Sequence, residues 1–157
     1  MKTKLLTLLL AAGIGASPAA AQMIQARDPG SIVSALTQAE FPATLDTDGA
    51  GDPIITSKHD GSTFKILFYN CTDHKNCATV QFHSGYDLDA AIPLDKINAW
   101  NKSQRFGRAY VDEEGDPIIQ MDLDLDDGGI SKALFADNLE YWTSVLDQFE
   151  EHIGYDE

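Results

Sequence analysis

Cys71-Thr-Asp-His74-Lys-Asn-Cys77 is the stretch where redox or metal-binding side chains fall at regular spacing. In an exported chain with only two cysteines, the default chemistry is a disulfide between Cys71 and Cys77. Opposed positions of a hairpin bring their Cβ atoms close to the bonding range. Two other chemistries use the same residues. A zinc site would take Cys71, His74 and Cys77 with His83 as fourth ligand, although zinc ligands usually come as two close pairs. A reactive thiol couple would use the cysteines alone, although that chemistry favours C-x-x-C.

Asp46, Asp48 and Asp52 begin like a calcium loop. Such a loop needs an oxygen side chain at its fifth position and a glutamate at its twelfth, and here those positions hold Ala50 and Ser57. The acidic runs 112–116 and 122–127 are incomplete in the same way, so all three read as solvated turns. Nucleophilic hydrolysis needs a serine or cysteine with a histidine base and an orienting acid. The chain has no G-x-S-x-G and no glycine loop opening a helix for a phosphate. No catalytic residue, cofactor or metal ligand is assigned.

Trp100, Lys102, Arg105, Phe106 and Arg108 form a basic and aromatic cluster in an otherwise acidic chain. The plain reading is neutralisation of acids such as Asp112 or Glu114 and favourable charge at a helix C-terminus. The sharper reading is recognition, because interface centres are rich in arginine and aromatic rings. It makes Trp100, Arg105, Phe106 and Arg108 the partner-binding candidates.

Residues 1–21 have the layout of a cleaved signal peptide. Lys2 and Lys4 precede an apolar run from Leu5 to Ile14, and Ala19-Ala-Ala21 offers a small-residue cleavage site. Periplasmic or secreted localisation follows, with residues 22–157 as one domain. Two of the eleven lysines and arginines leave with the signal, so nine face 25 acids, a formal charge of −16. That field repels nucleic acid and anionic lipid surfaces. No later apolar run is long enough to span a bilayer.

The elements that must position these residues follow from pattern. Asp28-Pro29 predicts a capped helix start before Ile32, Val33 and Leu36, and Pro42 its stop. A short strand over 43–46, a strand over 54–58 and an Asp60-Gly61 hairpin turn come next. Phe64, Ile66 and Phe68 alternate, as do Ala78, Val80 and Phe82. Placing Cys71 opposite Cys77 sets Phe68 against Val80 and Ile66 against Phe82, so two independent patterns agree. Pro93 to Trp100 predicts a short helix ended by Gly107, followed by strands 108–112 and 117–123. The last helix presents Ile130, Leu134, Phe135, Trp142, Val145, Leu146, Phe149 and Ile153 to a sheet. Gly51-Asp-Pro-Ile-Ile55 recurs as Gly115-Asp-Pro-Ile-Ile119, which suggests two related turn-plus-strand units.

Leu67-Phe-Tyr-Asn-Cys71, Gln81-Phe-His-Ser-Gly-Tyr-Asp87, Ile97-Asn-Ala-Trp-Asn101 and the run from Arg105 to Pro117 resemble exported members of the YbjN family, bacterial sensory transduction regulators. The resemblance covers roughly residues 28–153. It implies an α+β fold like that of type III secretion chaperones, an antiparallel sheet with helices packed on it in the order α-β-β-β-β-α-β-β-α. It implies a non-enzymatic regulatory or binding role toward a protein or peptide, and leaves homodimerisation open. A small-molecule or divalent-cation-binding module and an enzyme of unrecognised class are the other readings.

Overall fold

The computed structural model describes residues 23–155, and the expected signal segment lies outside them. Strand β1 (Met23–Ile24) leads into helix α1 (Pro29–Gln38), then β2 (Thr44–Thr47), β3 (Pro53–His59), β4 (Ser62–Tyr69) and β5 (Thr79–Gly85). Helix α2 (Leu94–Ser103) precedes β6 (Arg108–Val111) and β7 (Pro117–Asp124), and β8 (Ile130–Ser131) runs straight into α3 (Lys132–Ile153). Strands β2 to β7 form one antiparallel sheet in the order β2-β3-β4-β5-β7-β6, while β1 pairs with β8. The expected α+β order is present. The two-residue strands are additional, because two residues carry no readable period.

One face of the sheet is apolar. Ile55, Phe64, Ile66, Phe68, Val80, Phe82, Ile119 and Met121 are buried there, against Ile32 and Leu36 of α1 and Phe135, Trp142, Leu146 and Phe149 of α3. The Trp142 ring stacks on Phe82 at 5.5 Å and meets Phe64 edge-on at 6.0 Å. Tyr86 is buried beside Phe149 and donates to Glu150 Oε1 at 2.9 Å. Burial holds its phenol far above the ordinary tyrosine range, so it stays a donor at physiological pH.

Phe68 pairs with Val80 and Ile66 with Phe82, the register expected from the cysteines. Cys71 and Cys77 are bonded to each other, which leaves no sulfur for zinc. His74 Nδ1 sits 2.9 Å from Asp52 Oδ1 of the neighbouring turn instead. Around and between the cysteines the chain winds tightly, with Asn70 just before the bridge and Asp73, His74 and Asn76 inside it all at positive φ. Asn, Asp and His are the side chains that accept this conformation most readily after glycine. Cys77 is buried and belongs to the core, so the bridge closes the end of the apolar layer.

Three local expectations change. Asp28 makes no side-chain cap; Ser31 Oγ donates to its carbonyl at 2.6 Å, and Pro29 opens the helix. In α3 the period runs through Leu139, which is buried, while Leu134 is 48% exposed and Ser131 caps the start. Gly107 does not end α2, which stops at Ser103. It opens β6 at φ +79°, where a Cβ would stand 2.6 Å from Val145 Cγ1.

The disulfide closes a small loop, so the Cys71→Ser, Cys77→Ser variant is expected to lose about 2 kcal/mol of unfolding free energy. Urea denaturation of the variant and the oxidised protein checks this; coincident midpoints would show that the turn needs no bridge.

Candidate partner-binding site

The candidates sit where α2 hands the chain to β6, and two side chains of α2 build that junction. Trp100 is 2% exposed. Its indole N–H donates to Gly107 O at 2.8 Å, and its ring packs edge-on against Phe149 at 5.0 Å. Its place is therefore beneath the site, fixing the loop. The next residue, Asn101, grips the outer edge of β6. Its Nδ2 donates to Ala109 O at 2.9 Å and its Oδ1 accepts from Ala109 N at 2.9 Å. One amide thus supplies what a seventh strand would supply. The α2–α3 contact is closed by His152 Nε2 donating to Lys96 O at 2.8 Å and Lys96 Nζ donating to Ile153 O at 2.9 Å.

Above this base the loop presents Arg105, Phe106 and Arg108, all exposed. The Arg105 guanidinium lies over the Phe106 ring at 5.6 Å, and Phe106 packs on Tyr141 of α3 at 4.6 Å. Arg108 lies over Tyr110 at 6.0 Å and donates from Nη2 to Gln120 Oε1 at 2.6 Å. With Gln104 and Asp122 these residues line a shallow groove of about 480 Å³. The structure brings Arg105, Phe106 and Arg108 together, and places Trp100 in the core behind them.

Among the described residues neither Arg105 nor Arg108 is paired with a carboxylate. The ion pairs are His59 with Asp147 and Asp60, and His74 with Asp52. The plain expectation that Asp112 or Glu114 neutralises the arginines does not hold. Asp112 Oδ1 accepts instead from the backbone N–H groups of Glu114 and Asp116.

The groove continues into the sheet face that no helix of the described residues covers. Lys65, His83, Gln120 and Arg108 stand in one row across four strands. Beside them Gln81 Nε2 donates to Asp122 Oδ1 at 2.7 Å, and Tyr69 OH donates to Gln81 Oε1 at 3.3 Å. Burial first, and then Lys65, hold the His83 imidazole below the usual histidine range. This face is polar, with Gln81, Asp122 and Tyr69 bonded to one another and His83 Nδ1 buried without a partner among the described residues. Alternation in the sequence marked it as the outer face but could not show how closely its amides are paired.

Two of the acidic turns use an aspartate oxygen to hold their own backbone. Asp48 Oδ1 is taken by the backbone N–H groups of Ala50, Gly51 and Asp52. Oxygen and nitrogen ligand atoms do converge at His59, Asp60 and Asp147, within 4.8 Å of one another, a trio joined across the fold and invisible to local motifs.

A family model described as "YbjN: Putative bacterial sensory transduction regulator" matches residues 28–154. No curated protein matches the chain.

The Asn101 grip on β6 is testable directly. Asn101→Ala should lose about 1–2 kcal/mol, because two backbone groups lose a protein partner. Asn101→Asp keeps the acceptor but sets a carboxylate oxygen against the Ala109 carbonyl, so it should lose at least as much. Urea midpoints equal to wild type for both would show that the grip contributes nothing.

Proposed function

The chain belongs to the YbjN family, and from that membership we propose an exported, non-catalytic regulatory domain, residues 22–157, that binds a protein or peptide partner in the Arg105–Arg108 groove. The observation that carries this reading is the pair of guanidiniums without carboxylates, each lying over an exposed aromatic ring. An arginine left free offers a planar fork of donors to a carboxylate. The Phe106–Tyr141 pair beside it offers apolar area, with the two rings 39% and 45% exposed. The partner segment that fits is acidic with an apolar or aromatic residue next to its carboxylate. The Cys71–Cys77 bridge suits an oxidising compartment, in keeping with export through the segment 1–21. No helix of the described residues is long and apolar enough to cross a membrane.

Arg105→Glu, Arg108→Glu changes two exposed side chains and should leave the melting temperature near wild type. Used as bait in a periplasmic extract, wild type should retain a partner that is released as salt rises. The double variant should lose that partner by at least about tenfold, or 1.4 kcal/mol. Retrieval of the same proteins by both would reduce the cluster to a structural role.

The second reading, a divalent-cation module, is favoured by the convergence of His59, Asp60 and Asp147. A cation bound only to the native state must raise its apparent stability. Unchanged melting in millimolar calcium and in zinc would remove that reading.

A further inference from the structure

The two edges of the sheet are built alike and finished differently. At one edge Asp48 N donates to Asp52 O and Gly51 N to Asp48 O; at the other, Asp112 N donates to Asp116 O and Gly115 N to Asp112 O. Gly51 and Gly115 have φ of 99° and 96°, and each turn leads through Asp-Pro into the inner strand of its hairpin. Antiparallel pairs alternate between bonded and non-bonded, so Ala109 opposite Ile119 and Leu45 opposite Ile55 direct their N–H and C=O away from the sheet.

At β6 those outward groups are taken by Asn101. Asn101 lies eleven residues before Asp112, and eleven residues before Asp48 stands Thr37. The Thr37 hydroxyl donates to Val33 O of its own helix at 2.8 Å and reaches nothing in β2. Thr47 N–H takes Asp46 Oδ1, but no bond to Leu45 from outside the sheet is found among the described residues. All four residues of β2 are exposed, Leu45 by 47%.

We propose that the β2 edge is a strand-addition site for an extended basic segment of another protein. Main-chain bonds to Leu45 supply the pairing. An apolar residue of the incoming strand lies beside Leu45 on the helix side, and a lysine or arginine beside Asp46 on the open face. The sign of the occupant follows from the local charge. From Asp28 to Ser57 the chain carries Asp28, Glu40, Asp46, Asp48 and Asp52 and no lysine or arginine. A second copy of the chain would bring the same acids against this edge, so charge selects a different, cationic partner. This site is at the opposite edge from the arginine groove and stands independently of it.

The probe is an eight-residue peptide of alternating lysine and valine, titrated into the mature domain at physiological salt by calorimetry and by amide chemical shifts. Binding at one site is expected, with the largest shifts at Leu45 and Thr47. Leu45→Pro removes an outward N–H and no ladder bond, so it should keep the fold and weaken binding by at least about tenfold. Replacing the peptide's lysines with glutamate should weaken it as much. Arg105→Glu, Arg108→Glu should bind the lysine peptide undiminished, which separates this test from that of the groove. The proposal is overturned by absence of binding, by shifts centred elsewhere in the wild type, or by equal binding to Leu45→Pro. Self-association abolished by Leu45→Pro would also overturn it, assigning the edge to a second copy.

Discussion

Stacking of Trp142 on Phe82 fixes where the long helix lies, and most of the molecule is arranged to make that contact. Phe64 and Phe82 come from neighbouring strands, and Phe135 packs on Phe82 from the first turns of α3 at 6.3 Å. The indole N–H of Trp142 is buried with no acceptor among the described residues. An unsatisfied buried donor costs about 1–3 kcal/mol. Deleting a buried aromatic side chain costs about 3–5 kcal/mol. Packing is the larger effect, so the ring stays in the core with its polar atom unpaired. The 70–77 turn and its bridge serve the same contact, since they hold the β4–β5 register that aligns Phe64 and Phe82.

The sheet then grows outward by repetition. In the strand order β3 and β7 flank the central pair β4–β5 and β2 and β6 are the two edges, with α1 and α2 each preceding its edge hairpin. This gives the repeated Gly-Asp-Pro-Ile-Ile a physical meaning. In each copy one aspartate oxygen gathers two or three backbone N–H groups of its own turn, after which proline enters the inner strand where its missing donor costs nothing. Much of the acidic charge is therefore turn chemistry. The edges diverge because Asn101 replaces a strand on one side, and that difference follows from one residue type at one helical position.

Patterns that extend over several residues were legible in the sequence. Alternation in β4 and β5, the hairpin register and the amphipathic α3 all depend on repeated burial, and a repeat is visible in one dimension. Single contacts were not. Trp100, Arg105 and Phe106 stand together in the sequence, which suggests recognition, but sequence proximity does not say which ring faces inward. The Gly107 bond and Phe149 contact of Trp100 decide that, and both depend on tertiary placement. The Asn101–Ala109 clasp is one amide meeting one strand edge, and the passage of Gly129 by β1, where a Cβ would stand 2.1 Å from Ile24 O, is likewise a single tertiary contact. At Gly129 the requirement is close backbone passage.

The unpaired arginines make sense in free-energy terms. An exposed ion pair is worth about 0–1 kcal/mol, so leaving Arg105 and Arg108 without carboxylates costs the fold almost nothing. The same groups offered to a partner in a partly dried groove bind more strongly, because charge-assisted forks gain as water leaves. The surrounding negative charge sharpens the choice. On the proposed reading, an acidic segment would be repelled by most of this surface and accepted where the guanidiniums stand. Aromatic rings beneath the cations hold them outward without neutralising them. A protein that needed only solubility could have matched these arginines with any of its 25 acids. Phenylalanine, tyrosine and glutamine lie against them instead, which leaves their charge without a partner acid among the described residues.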